Sequence, residues 1–215
     1  PLSMIPSEEL WSEYLVTSWD HRINAHYYLR FGVKLETDDI VVDCGACEGF
    51  FTRQALDAGV SKVICIEPNP EMAACLKKSF ELEISQGRVI IESIALGSLT
   101  GQASFDCSPG DAFSGHFSDS GTLVPITTLD RLCAEHGEPT MIKMDLEGSE
   151  YEALRGGAEF LRKQKPKLAI TTYHYPWDHP VVSGLIKGAG YRNIKVSAAT
   201  MRGGNVPRPV MLHAW

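Results

Sequence analysis

Ile40-Val-Val-Asp-Cys-Gly-Ala-Cys-Glu-Gly49, continued by FFTRQALDAG to Gly59, is the stretch whose reading decides the fold. Ile40 to Cys44 is a short β-branched run with the length of a buried strand, and it breaks into a turn at Gly45. Phe50 to Gly59 then reads as a helix stopped by glycine. Working outward, KVICIE (Lys62 to Glu67) is a second buried strand. PEMAACLKKSFEL, with Pro70 in its first turn, is the next helix, and RVIIE (Arg88 to Glu92) is a third strand. Strands alternating with helices at this spacing predict βαβ units, hence a parallel sheet with helices on both faces. The fold class is α/β.

Further along, MIKMD (Met141 to Asp145), a helix through YEALRGG and KLAITTY (Lys167 to Tyr173) extend the pattern. VVSGLIKGAG is a helix ending in glycine, YRNIKV a strand and PVMLHAW a carboxy-terminal strand. Between them, Ser98 to Pro125 is rich in glycine, serine and aspartate. GQASFDC and GTLVPI predict short extra strands there, flanking a loop, Ser108 to Gly121, that reads either as an active-site lid or as plain surface. Thr127 or Thr128 caps the helix LDRLCAEHG. Toward the amino terminus, Ser7 before EELWSEYL is a helix cap, and a second helix is expected over Asp20 to Phe31, stopping at Gly32. Pro1 to Ser3, ahead of Met4, read as a remnant of tag cleavage. The division expected is 1–37, an amino-terminal helical cap, and 38–215, the α/β domain.

With 20 Lys+Arg against 27 Asp+Glu, a net charge of -7 and 44% hydrophobic residues, the 215-residue chain suits one soluble domain. The acidic balance excludes a protein that binds nucleic acid by counterion release. No apolar run is long enough to span a bilayer, so no membrane partner is expected. PLSMIPSEEL has neither the basic nor the apolar region of a secretory signal. The six cysteines, Cys44, Cys47, Cys65, Cys75, Cys107 and Cys133, fall short of disulfide-scaffold density and read as reduced, so a cytoplasmic location is expected. Cys44 and Cys47 form a C-x-x-C without the second pair that a tetrahedral zinc site needs.

The turn after the first strand is D-x-G-x-x-x-G from Asp43 to Gly49, and Glu67 closes the second strand eighteen residues beyond. Glycines let the backbone approach a ligand there, and a carboxylate at the next strand end can accept both ribose hydroxyls. A dinucleotide site would carry G-x-G-x-x-G; here Glu48 occupies the helix start, where its charge repels a phosphate. The ligand expected is therefore a nucleoside without phosphates. S-adenosylmethionine qualifies, its sulfonium and ammonium charges suiting a pocket edged by Asp43, Glu48 and Asp145. Acidic residues recur at successive strand ends, Asp43, Glu67, Glu92 and Asp145, where open α/β sheets bind ligands.

VVDCGACEGFFT, VICIEPNPEMAACLKKSF, VPITTLDRL and IKMDLEGSEYEALRGG, in this order, resemble the FkbM-type S-adenosylmethionine-dependent methyltransferases. The likeness covers roughly Asp38 to Tyr173, and K-x-D-x-E-G-x-E (Lys143 to Glu150) is its most specific part. It implies a class I methyltransferase fold, Rossmann-like, whose seven-stranded, mostly parallel sheet has an antiparallel last strand. It also implies methyl transfer, commonly to a hydroxyl oxygen of a sugar or natural product. By position, Asp43, Gly45, Ala46 and Gly49 would face the donor's methionine part and Glu67 its ribose. Pro68 and Asn69 would flank ribose and adenine, and Ser93 would lie near the adenine. The chain departs from the family pattern at Cys47 and Glu48, and TTYHYPW lacks the common acidic residue before its histidine.

An alcohol is a poor nucleophile until its proton moves, which calls for a general base or a metal. His174, just past the fifth strand of the main series, is the first candidate base; a hydrogen-bonded structural histidine is the alternative. Asp145 either orients the donor or acts as base, and Glu147 is a second carboxylate at the same mouth. Lys143 shares a strand face with Asp145, so a buried pair with Asp145 or Glu150 is expected. Asp145, Glu147 and His174 carry oxygen and nitrogen donors suited to a divalent ion, but no compact ligand motif supports one and no metal is assigned. Tyr173, Tyr175 and Trp177, with His179, form either a stacking surface for a sugar or packing for the amino-terminal helices. Trp11, Trp19, Tyr27 and Tyr28 read as core or cover residues. The expected partner is a small hydroxylated acceptor, a saccharide or secondary metabolite, and a homodimer is permitted. The rival functions are a nicotinamide-dependent oxidoreductase and a non-catalytic S-adenosylmethionine-binding module.

Overall fold

Alternation along the central strands sorts the core into two layers. The computed structural model describes residues 26–106, 116–117, 121–200 and 207–215. In chain order these form β1 (Ile40–Cys44), α1 (Phe50–Asp57), β2 (Lys62–Ile66), α2 (Pro70–Ser79), α3 (Glu81–Ser85) and β3 (Val89–Glu92). Next come the short strands β4 (Ala95–Leu96), β5 (Gly101–Asp106), β6 (His116–Phe117) and β7 (Thr122–Thr127), then α4 (Leu129–His136). The chain continues through β8 (Met141–Met144), α5 (Glu150–Arg155), α6 (Ala158–Gln164), β9 (Lys167–Thr171), α7 (Asp178–Gly188), β10 (Ile194–Thr200) and β11 (Arg208–Ala214).

Seven strands pair in the order β10-β11-β9-β8-β1-β2-β3. All pairings from β9 to β3 are parallel, while β11 runs antiparallel to both β9 and β10. The antiparallel last strand is therefore present. On one face Val42, Ile64, Ile142 and Ile170 pack under Leu132, Leu154, Val182 and Ile186. On the other, Val41, Val63, Met141 and Met211 meet Phe51, Ala55, Leu76 and Phe80. Because the strands are covered on both sides, their sequences are continuous apolar runs rather than polar-apolar alternations.

The extra strands around Ser98 to Pro125 are found, but they build a separate four-stranded sheet, β4-β7-β5-β6. Ala95, Phe105 and Val124 form its small core. It is tied to the main body where Gly156, closing α5, presses on Gly97, the residue after β4: a Cβ there would stand 2.1 Å from the Gly97 carbonyl oxygen and 3.2 Å from Thr128 Cβ. Gly156→Ala is expected to lower stability by about 1–3 kcal/mol through overpacking, read as a lower urea midpoint at unchanged slope.

Thr128, of the two threonines expected to cap α4, is the cap: its hydroxyl accepts the Arg131 N–H at 3.2 Å. The helix expected over Asp20 to Phe31 is corrected in its described part. Residues 26–31 are turn and irregular chain, with Phe31 at φ 56°. Their aromatic side chains are instead committed to separate tertiary contacts, Tyr28 against Phe51 and Phe31 against His213. The Ser7 helix, Trp11, Trp19, Cys107 and most of the Ser108 to Gly121 loop lie outside the described residues. No helix among the described residues is long and apolar enough to cross a membrane.

Candidate active site

Chain order reverses at β1, which lies between β2 and β8. Loops leaving the carboxyl ends of β1 and β8 therefore diverge, and the crevice between them is where an open α/β sheet takes its ligand. Gly45 opens the turn after β1 at φ 76°, and a Cβ on it would fall 1.9 Å from the Asp145 carbonyl oxygen. Only glycine fits, because both the left-handed backbone and the close approach exclude a side chain. Gly45 and Ala46 donate their N–H groups to the Ile66 carbonyl at 3.0 and 3.1 Å, fixing the turn onto the end of β2.

Glu67, at that end, is buried; its carboxylate accepts the Cys47 N–H on one oxygen and the Asn69 N–H on the other, both at 2.9 Å. Burial raises its pKa, and the two N–H donors offset part of the effect. Pro68 and Asn69 follow as buried residues, and Ser93, half-buried, comes just after β3. The Asn69 side-chain oxygen is occupied as the cap of α2, accepting from Glu71 and Met72 N–H at 2.9 and 3.4 Å. Asp43, wholly buried, accepts the Thr52 hydroxyl at 2.7 Å and pairs with Lys143 at 3.0 Å. Lys143 also donates to the Gly45 carbonyl at 2.6 Å. The partner of Lys143 is therefore Asp43, across the β1–β8 register, rather than Asp145 or Glu150. Glu92 faces His136, with Nε2 2.9 Å from its carboxylate.

The ends of β8 and β9 bring Asp145, Glu147, Glu150 and His174 together. His174 Nε2 stands 3.3 Å from Glu147 and 3.6 Å from Asp145, and Nδ1 stands 3.3 Å from Glu150. Burial alone would lower the histidine's pKa; contact with Glu150 and the charges of Asp145 and Glu147 outweigh it and raise it to about 9. At neutral pH the ring carries a proton, and a base role asks that proton to leave first. Burial likewise pushes Asp145 up, yet Lys143 and His174 together hold its carboxyl below the usual range. Tyr28, read from sequence only as a core or cover residue, donates its hydroxyl to Asp145 at 2.8 Å. Thr171, unmarked by any sequence signal, places its hydroxyl 3.2 Å from Asp145 and 3.0 Å from Glu150.

Beside this cluster Tyr175 and Trp177 stack in parallel at 5.1 Å, with 43% and 59% of their surface exposed. Gly148 lies under the Tyr175 ring, where a Cβ would come within 2.2 Å. The five described cysteines are free thiols, and burial raises the pKa of Cys44, Cys47, Cys65 and Cys133, which disfavours reactive thiolates.

A family model, Methyltransferase FkbM domain, matches residues 43–192, from the Asp43 turn through His174 and beyond. The chain belongs to the FkbM methyltransferase family. As an FkbM chain it is 30% identical over 158 residues to hexuronic acid methyltransferase AglP of Haloferax volcanii, covering 72% of this chain and 64% of the relative. It is 26% identical over 152 residues to 2-O-methyltransferase NoeI of Sinorhizobium fredii, covering 60% and 61%. The FkbM chain thus spans somewhat less than two thirds of these relatives. Among solved structures, the FkbM methyltransferase of Methylobacillus flagellatus superposes with a TM-score of 0.67 at 24% identity over 89% of this chain and 47% of that one. Precorrin-6y C5,15-methyltransferase of Geobacter metallireducens gives 0.55 at 14% identity over 94% and 90%. These two likenesses establish the class I methyltransferase fold. S-adenosylmethionine is the methyl donor of the FkbM family, and membership decides for it over a nicotinamide.

Proposed function

We propose that this FkbM protein transfers the methyl group of S-adenosylmethionine to a hydroxyl oxygen of a saccharide. One observation carries the reading: the glycine turn after β1, the buried Glu67 carboxylate and the Asp145–Glu147–His174 group all follow the carboxyl ends of neighbouring parallel strands around the reversal point of the sheet. The residues fit the donor. Glu67 has carboxylate lone pairs left after its two N–H partners, and the acidic rim of Glu48 and Asp145 suits a cationic ligand. Gly45, Ala46 and Gly49 would border the methionine part, Glu67 the ribose, and Pro68, Asn69 and Ser93 the adenine side; Asp43, expected from sequence to edge the pocket, is wholly buried against Lys143 and Thr52 and would support the turn from behind. When bound, S-adenosylmethionine offers a methyl carbon on a positive sulfur: the acceptor oxygen bonds to that carbon as the carbon–sulfur bond breaks, and the bond's electrons stay on sulfur.

The protein's own work is to hold the acceptor in line and receive its proton. Asp145, Glu147 and His174 are the groups placed for that, with Glu147 the most open of the three at 35% side-chain exposure. Tyr175 and Trp177 offer a flat, exposed stack, the surface against which a sugar ring packs its C–H face. The name of one relative, a hexuronic acid methyltransferase, supports a saccharide acceptor, and that of the other, a 2-O-methyltransferase, supports transfer to oxygen.

Calorimetric titration with S-adenosylhomocysteine is expected to show one site per chain. Incubation with methyl-labelled S-adenosylmethionine and a panel of neutral and uronic saccharides is expected to label a sugar by a base-stable ether. A base-labile ester would move the acceptor atom to a carboxylate, and failure of the folded protein to bind S-adenosylhomocysteine would overturn the reading.

A further inference from the structure

We propose that Asp145, Glu150 and His174 form a site for one divalent cation of the Mg2+/Mn2+ class, with Glu147 at its open side. Its role beside the acceptor rests on the methyl-transfer reading above, whereas the binding itself does not. One donor atom from each of Asp145, Glu150 and His174 can be chosen so that all lie within 4.8 Å of one another. An octahedral cation of this class, with metal–oxygen bonds of about 2.0–2.1 Å, sets neighbouring ligand atoms roughly 2.8–3.0 Å apart. On the Nε2 side of His174, Glu147 at 3.3 Å and Asp145 at 3.6 Å would close by a few tenths of an ångström around such an ion, while Glu150 stands 3.3 Å from the other ring nitrogen, Nδ1.

Three of the polar atoms at the centre lack a hydrogen bond, both His174 ring nitrogens and Glu150 Oε2. The His174 side chain is only 8% exposed, yet neither ring nitrogen has a hydrogen-bond partner despite its close carboxylate neighbours. Glu150 is 1% exposed, and its Oε2 likewise lacks a hydrogen bond. An unsatisfied buried carboxylate oxygen is costly unless something positive meets it.

The surrounding contacts are those that orient ligands. The other Glu150 oxygen accepts the Leu146 N–H at 2.7 Å and lies 3.0 Å from the Thr171 hydroxyl. Asp145 accepts the Tyr28 hydroxyl. Hydrogen bonds of this kind fix the aim of metal-bound carboxylates. Three carboxylates surround one imidazole, and the amine of Lys143 is engaged by Asp43, so negative charge is in surplus even with the ring protonated, and a dication that displaces the ring proton matches it. Oxygen ligands with one imidazole and no thiolate select a hard ion, and the imidazole favours Mn2+ over Mg2+. Next to an acceptor hydroxyl such an ion would act as a Lewis acid and a template.

Titration of the protein with Mn2+, followed by loss of the free-ion electron paramagnetic resonance signal, tests the site. One ion per chain is expected, displaced by excess Mg2+. His174→Ala and Glu150→Gln are each expected to weaken it at least about tenfold. Glu92→Gln, which alters the separate His136 pair, should leave it unchanged. Should Glu150→Gln not fold, Thr171→Val replaces it, with a weakening of about 10–100-fold expected from loss of the orienting hydroxyl. An undiminished signal with wild type, or wild-type affinity in His174→Ala, would overturn the proposal. S-adenosylhomocysteine titrated into the same samples keeps the two readings apart: Mn2+ bound without the nucleoside removes only methyl transfer, and the reverse removes only the metal.

Discussion

Replacing Lys143 by methionine is expected to lower the free energy of unfolding by about 3–5 kcal/mol, the cost of leaving one partner of a buried ion pair uncompensated. The Lys143 and Asp43 side chains are 5% and 0% exposed, and their charged atoms are 3.0 Å apart. Without the amine, Asp43 keeps only the Thr52 hydroxyl, and the Gly45 carbonyl loses its 2.6 Å partner at the turn that shapes the donor crevice. Burial pulls Lys143 toward the neutral amine, but Asp43 and Asp145 outweigh it and keep the group charged. Asp43→Asn alone should also destabilise, since it strands the amine. The double variant, Asp43→Asn with Lys143→Met, should regain much of the loss, because an apolar replacement of a buried pair is often neutral. Urea unfolding of all four proteins gives the coupling. A single-variant loss below about 1 kcal/mol would show that the pair is already relaxed by water.

That pair also marks the limit of what could be read along the chain. Alternation in IKMD places Lys143 and Asp145 on one strand face, and they are. Alternation says nothing of which residue stands alongside on the next strand. The β1–β8 register sets Asp43 opposite Lys143, and it depends on how the sheet assembles. The βαβ series from Ile40 to Glu92 was legible because each strand is a buried run of β-branched residues bounded by turn signals. β4 was not: it is two residues long and pairs with Ile126 and Thr127, thirty-one residues away, so it leaves no period. The helix expected over Asp20 to Phe31 failed in its described part, from His26 onward, for a related reason. Tyr28 and Phe31 sit three apart as on a helix face, but one reaches Asp145 and the other His213.

Within the site, position at a strand end was readable for Glu67, Asp145 and His174, since each follows an apolar run. Distance was not. Glu150 and His174 meet because β8 and β9 are parallel neighbours with Met144 opposite Ile170, so the segments leaving them emerge side by side. Glu150 was visible as the last acid of K-x-D-x-E-G-x-E, yet only as a possible partner of Lys143. Its contact with the histidine requires the turn at Glu147 and Gly148, at φ 52° and 100°, which brings the start of α5 back over the strand ends.

Glu67→Gln is expected to weaken S-adenosylhomocysteine binding by about 10–150-fold, the equivalent of 1.5–3 kcal/mol for hydrogen bonds to a charged group. The substitution nearly preserves shape, so the argument turns on charge and donor count. Each Glu67 oxygen accepts one main-chain N–H, from Cys47 and Asn69, and has lone pairs left for ribose hydroxyls. Glutamine can satisfy only one of those N–H groups with its oxygen. Its amide nitrogen faces the other, donor against donor, so stability should also fall by about 1–3 kcal/mol. The turn between β1 and α1 would loosen, because the Cys47 N–H is one of its ties to β2. The two effects separate with a donor analogue lacking both ribose hydroxyls. A loosened turn weakens both ligands equally, whereas loss of the ribose contact weakens only the hydroxylated one. Wild type should therefore prefer S-adenosylhomocysteine over the analogue by the larger factor, and Glu67→Gln should nearly abolish that preference. Equal preference in the two proteins would remove Glu67 from the ribose and leave it a purely structural clamp on the turn.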